Sequence, residues 1–188
     1  MISSPNYTAF RFFFPANWFS EEINQRYINV IRDNILPFES ITSYINSTIT
    51  NAVIPGIVDQ GSVPQYNRVG NSLTYKGSLP QSEMKDREIT LTMALKGSYM
   101  NWVIMYVQLM EYLSWENRDT NFMPNVFCQI LDHDDNVIIE MRYDCVRLVS
   151  ISSVELSTME NGIVNKNFDF KLGYADVEVS TKVENRFL

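Results

Sequence analysis

Between Arg87 and Val179 the spacing of apolar and polar positions changes from one stretch to the next, and each spacing predicts an element. Ile89, Leu91, Met93 and Leu95 fall at every second position, with Glu88, Thr90 and Thr92 between them, the period of a strand with one buried face. Gly97 breaks that strand and Ser98 offers an N-cap for a helix over Tyr99–Trp115. The polar residues of this helix, Asn101, Gln108 and Glu111, form one narrow stripe on a surface otherwise aromatic, Met or aliphatic. Val126–Leu131 and Val137–Tyr143 read as a hairpin around Asp132–Asn136. A further strand is expected over Cys145–Leu156, and Met159–Gly162 marks a turn. In the closing segment Phe168, Phe170, Leu172 and Tyr174 share one face. After Ala175 the parity flips, so Val177 and Val179 point the other way, as a bulge or a crossing between two sheets would require.

Upstream, Tyr7–Phe14 predicts an aromatic-rich strand ended by Pro15. Ser20, Glu21 and Glu22 then open a helix, a hydroxyl cap followed by acids at the positive end of the dipole. Ile23, Tyr27, Val30 and Ile31 lie on one face of it, and Pro37 ends the segment. Ile41 and Ile45 suggest a short helical turn within Phe38–Asn46, and from Thr48 the pattern is extended up to Pro55-Gly56. Between Asp59 and Asp86, Gly61, Pro64, Gly70, Gly77 and Pro80 leave only Ser72–Lys76 strand-like. That stretch is too long for an ordinary connection and reads as a working loop or protruding hairpin. The expected fold class is mainly β with helices (α+β). It is an antiparallel β-barrel or sandwich with one buried helix between strands and an N-terminal helix. One domain is expected over residues 1–188, with an N-terminal strand and helical extension over 1–47, a core over 48–179 and a tail over 180–188.

With 45% hydrophobic and 13% aromatic residues in 188, the chain can build a core and still has apolar surface to spare, most of it on the Tyr99–Trp115 helix. That helix is shorter than the roughly 20 apolar residues a membrane span needs, carries Glu111 and lacks basic flanks, so no membrane is expected. The better reading packs it against its own sheet and against a neighbouring subunit. A net charge of −7 without any basic cluster argues against nucleic-acid binding, although an acidic surface suits DNA that must slide past without sticking. Cys128 and Cys145, outside any CxxC spacing, read as reduced thiols of a cytosolic protein, although pairing of the flanking strands would bring them near each other. Met1–Pro5 has no secretory character, so the sequons at Asn6 and Asn46 read as chance.

Candidate chemistry is sparse. Asp132–Asn136 is the one dense run of metal-capable side chains, but an EF-hand counted from Asp132 would place Val137 where Gly is needed and Tyr143 where Glu is needed. A solvated turn is the simpler reading. His133 is the only histidine, and no nucleophile elbow, zinc helix or phosphate loop occurs. No catalytic, cofactor-binding or metal-ligating residue is assigned, no cofactor is expected, and the chain is not read as an enzyme. Two non-enzymatic classes remain: a small-molecule-binding β-barrel whose aromatics line a cavity, and a structural oligomer. The second explains the apolar helix, the long open segment and the acidic charge together.

The order REITLTMAL, GSYMNWVIMYVQLMEYL, VFCQILDHDDNVIIEMRY, VRLVSISSVELS and NFDFKLGYADVEV resembles the tail tube proteins of long-tailed phages. Related domains occur in type VI secretion tubes and in baseplate hub and tube-initiator proteins. TNAVIPGI is similar to a family segment in which a strand ends at Pro-Gly. The resemblance covers about residues 48–179, and the N-terminal helix departs from the simplest members. It implies an antiparallel barrel or sandwich that joins as hexameric rings stacked into a tube. This subunit would form the tube proper, its initiating ring at the baseplate, or a terminator ring. The implied partners are other copies of the chain and other tail or baseplate proteins, with DNA transient in the bore and not bound specifically. The implied location is the virion tail, assembled in the host cytoplasm. Candidate assembly contacts are Tyr66, Arg68 and Tyr75 in the open segment, Glu88, Thr90 and Thr92 on a polar sheet face, and Trp102 and Tyr106 on the apolar helix.

Overall fold

A computed structural model describes residues 10–34, 38–55, 62–66, 72–76, 87–96, 99–116, 121–132, 134–154 and 167–181. Ten strands and three helices follow along the described chain as β1 (Phe10–Phe13), α1 (Glu21–Asn34), α2 (Ile41–Asn46), β2 (Ile49–Val53), β3 (Ser62–Tyr66), β4 (Ser72–Lys76) and β5 (Glu88–Ala94). They continue with α3 (Met100–Ser114), β6 (Val126–Leu131), β7 (Val137–Asp144), β8 (Arg147–Ile151), β9 (Asn167–Gly173) and β10 (Asp176–Thr181). Two four-stranded antiparallel sheets carry the fold, one in the order β1-β6-β7-β10 and the other β2-β5-β9-β8, while β3 and β4 pair with each other. The class is α+β.

Strand alternation builds the core. Leu91, Phe170 and Ile151 lie side by side across β5, β9 and β8, and Ile89, Leu172 and Leu148 form the next row. Of these, Ile89, Leu91, Phe170 and Leu172 are wholly buried. From the other sheet Phe12, Val126, Cys128 and Tyr143 close over them. The parity flip after Ala175 is a sheet crossing: β9 lies in one sheet and β10 in the other. Tyr174 N donates to Arg87 O at 3.0 Å and Ala175 N to Asp144 O at 3.1 Å, which fastens the corner.

The helices follow their local signals. The Ser20 hydroxyl accepts from Ile23 N at 3.3 Å, the expected N-cap of α1, and Ile23 and Ile31 are buried. Ser40 caps α2 in the same way through Ser43 N at 3.1 Å. Asn46 has a structural use: its amide accepts from Phe14 N at 2.9 Å and donates to Phe14 O at 3.1 Å, tying α2 to the end of β1.

Several boundaries differ from expectation. The first strand is described only over Phe10–Phe13, and residues 7–9 lie outside the described residues. Of the strand expected over Cys145–Leu156, Arg147–Ile151 is strand: Cys145 at φ 54° turns the corner out of β7 and delays its start, residues 152–154 are not strand, and residues 155–156 lie outside the described residues. α3 starts at Met100 behind Tyr99 in the left-handed region (φ 68°) without a side-chain cap, and Ser98 lies outside the described residues. The turn at Met159–Gly162 and the helix stop at Pro37 also lie outside them. In the open segment Ser62–Tyr66 is a second strand that the sequence hid, since Pro64 in its middle speaks against a strand. Pro is tolerated here in a two-stranded ribbon, where each strand is an edge.

Candidate assembly surfaces

The polar stripe of α3 faces the protein. Asn101 is fully buried: its Nδ2 donates to Ala94 O at 2.7 Å and its Oδ1 accepts from Lys96 N at 3.2 Å, so one side chain takes up the last backbone groups of β5. Gln108, 2% exposed, reaches only Met123 Sδ at 4.0 Å, and its Oε1 has no hydrogen-bond partner. Glu111 accepts from the Ser20 hydroxyl at 3.2 Å, joining α3 to the start of α1. With the amides inward, Tyr106 (43% exposed), Met110 (53%) and Leu113 (45%) line the outward side at helical spacing. Trp102 is largely used within the chain. Its Nε1 donates to Ser152 O at 3.1 Å, and its ring stacks on Tyr106 with centroids 5.1 Å apart.

The outward face of the β2-β5-β9-β8 sheet carries Glu88, Thr90 and Thr92 as expected, joined by Asn51, Val53, Ser150, Asp169, Lys171 and Arg147. Thr92 donates to Asp169 at 2.8 Å, Lys171 lies 3.5 Å from Glu88, and the Arg147 guanidinium sits over the Phe122 ring at 5.2 Å. Among the described residues this face balances Glu88 and Asp169 against Lys171 and Arg147. Acid excess lies on the other sheet, where Asp144, Asp176 and Glu178 surround Arg142, which bonds Asp144 at 3.1 Å and Glu178 at 2.8 Å. Asp144 and Glu178 hold the Arg142 pKa above its usual value. Among the described residues no strand pairs with the outer edges of β2 and β8 in the β2-β5-β9-β8 sheet, and each carries a bulge, at Thr50 in β2 and at Val149 in β8.

Of the remaining sequence-predicted contacts, Tyr75 pairs with Val63 and Tyr66 with Ser72 in backbone register, and Arg68 lies outside the described residues. Sequence reasoning missed Met110, Leu113, Val53 and Ile54. The first two stand four and seven residues beyond Tyr106, a spacing that could have found them once the buried side of the helix was known.

At Asp132–Asn136 the Asp132 carboxylate accepts from Asp134 N at 2.8 Å and Asn136 N at 2.9 Å, and Asp135 sits at φ 62°. This is a side-chain-closed turn. Among the described residues no group of three or more His, Cys, Asp or Glu side chains could hold a metal, and no helix is long and apolar enough to cross a membrane. Cys128 and Cys145 are free thiols. Burial pushes the Cys128 thiol up to about 11, so at pH 8 only about a thousandth is thiolate. Iodoacetamide at pH 8 is therefore expected to modify the half-buried Cys145 and spare Cys128 until the protein is unfolded, as peptide mass mapping would show. Equal rates at the two positions would contradict the burial of Cys128.

No family model matches the chain, and no curated protein is significantly similar to it in sequence. Solved structures are similar in fold. A chain of the anti-feeding prophage (AFP) baseplate, 6-fold symmetrised, matches at 12% identity over 98% of this chain and 100% of that one, with TM-score 0.56. A chain of the sheath-tube complex of an extracellular contractile injection system (PVC) in its extended state matches at 10% identity. That match covers 96% of this chain and 93% of that one, with TM-score 0.52. The chain therefore has the tail-tube type of fold. Both likenesses run through nearly the whole chain, its helical N-terminal part included.

Proposed function

We propose that this chain is a structural subunit of a phage tail tube, closing into rings of six copies that stack to form a channel for DNA. The observation that carries the reading is the β2-β5-β9-β8 sheet, which has one buried face, one polar open face and, among the described residues, two open edges. Its strands alternate in direction, so β2 and β8 run antiparallel to each other. A cyclic operator preserves strand direction, so β8 of one copy beside β2 of the next continues the alternation. An even number of strands per copy lets the ring close without a parallel seam. Closure would satisfy both edges, which in a lone subunit invite uncontrolled pairing.

In that arrangement Thr90, Thr92, Asn51 and Ser150 face the bore, where the acids and bases are matched in number. The base Lys171 has Glu88 beside it and Arg147 lies on an aromatic ring. A wall so balanced offers phosphates few free cations and limits the counterion release that drives adhesion to DNA. Tyr66 and Tyr75, on the β3–β4 ribbon, are proposed to reach between stacked rings. The AFP baseplate chain, whose whole length is matched, favours a second position for the same fold, a ring at the baseplate end of the tube.

Negative-stain electron microscopy with light scattering tests the reading. Rings or tubes and a mass several-fold above 21.8 kDa are expected. A monomer at every accessible concentration would return the chain to the small-molecule-binding barrel class.

A further inference from the structure

The outward face of the β2-β5-β9-β8 sheet is polar along its middle and apolar at its two edges. Val53 on β2 (54% exposed) and Val149 on β8 (42%) are, among the described residues of these strands, its only apolar side chains larger than alanine. Strand register fixes where they stand. Val53 pairs with Thr90, and Thr90 with Lys171. On β8, Leu148 pairs with Leu172 and Ser150 with Lys171, so the bulge sets Val149 and Ser150 together opposite Lys171. A Cβ added at Gly173, an outward position of β9, would lie 3.3 Å from Val149 Cγ2, so the Val149 side chain lies over this face. One row therefore runs Val53, Thr90, Lys171, Val149, with an exposed valine at each end.

The adjoining rows are also alike at their two ends. On the outward face Asn51, Thr92, Asp169 and Ser152 follow one another, Ser152 N donating to Asp169 O at 2.8 Å. On the buried face Ala52, Leu91, Phe170 and Ile151 do the same. When the β8 end of each row is set against its β2 end in another copy, polar meets polar and apolar meets apolar.

We propose that Val149 of one copy packs against Val53 of the next on this outward face, and that the valine pair sets the register of the seam between β8 and β2. This rests on the ring-forming reading above and names the contact that aligns its strands. Two different edges meet, which makes the contact head-to-tail, the kind that builds rings. A slip of one residue would turn one strand over and set the apolar row ends against the polar ones. A stagger of two residues keeps the faces and supplies the offset that tilted strands in a closed barrel call for. It leaves the valines as diagonal neighbours about 7–8 Å apart.

Disulfide trapping tests the contact in a Cys145→Ser background, where burial keeps the remaining thiol, Cys128, out of reach. With Val53→Cys and Val149→Cys in one chain, oxidation by copper phenanthroline is expected to give a ladder of covalent oligomers on a non-reducing gel. A short bismaleimide does the same for the diagonal arrangement. Val53→Cys combined with Val179→Cys, a position 59% exposed on the other sheet, is expected to give no ladder. An equimolar mixture of a Val53→Cys chain and a Val149→Cys chain is expected to give dimers and nothing larger, because one seam bond uses both thiols. Neither chain alone gives any. The mixture decides the matter should the double variant lose its native circular dichroism. Normal rings or tubes by electron microscopy, without ladder or mixed dimer, would overturn the valine contact and leave the ring reading standing. An equally strong ladder from the Val179→Cys control would overturn it too. A wild-type chain that never assembles would overturn both.

Discussion

Replacing Phe170 with alanine is expected to cost about 3–5 kcal/mol, the usual range for removing a buried aromatic ring. Phe170 is fully buried at the centre of β9, flanked in register by Leu91 on β5 and Ile151 on β8. Its register neighbours are hydrogen-bonded strands on both sides, which limits how far the site can collapse into the space. Against the 5–15 kcal/mol typical of a domain, the loss would leave the subunit marginal at 25 °C. Urea unfolding followed by tryptophan fluorescence should show the midpoint falling steeply, with little change in slope. A loss under about 1 kcal/mol would mean that the two sheets do not pack as described.

Asn101→Ala is expected to cost about 2–4 kcal/mol, because it strands two backbone groups at once. Ala94 O and Lys96 N both rely on the Asn101 amide at the end of β5, and the side chain is wholly shielded from water. Each buried polar group left unpaired costs about 1–3 kcal/mol. Gln108→Met is the contrasting case. Gln108 already has an oxygen without a partner, so an apolar chain of similar length is expected to be neutral or to stabilise. Paired denaturation curves would check both. If the two substitutions have equal effects, the buried stripe of α3 is not differentiated in the way its hydrogen bonds indicate.

Local chemistry made much of this architecture legible without coordinates. Ser20 precedes an apolar-periodic stretch and caps the helix that follows. Alternation in Glu88–Ala94 and Asn167–Gly173 gave the buried faces of the central strands, and the parity change past Ala175 marked the passage of the chain between sheets. β3 escaped because Pro64 removes a backbone donor, which counts against an interior strand but not against an edge. Only strand pairing tells the two apart.

What the sequence by itself determined was the kind of protein: α+β with antiparallel strands, too apolar along Tyr99–Trp115 for one small domain to cover. Periodicity and composition are properties of short segments, and these were strong enough to read. The tertiary structure decided which way that material faces. A helical wheel shows that Asn101 and Gln108 share a side, but not whether the side points in or out, because the answer depends on backbone groups at the end of β5 that only folding brings beside the helix. The placement of charge was settled in the same way. Net charge is a sum over the chain, whereas the balance of Glu88 and Asp169 against Lys171 and Arg147 on one sheet face exists only once β5, β9 and β8 lie side by side.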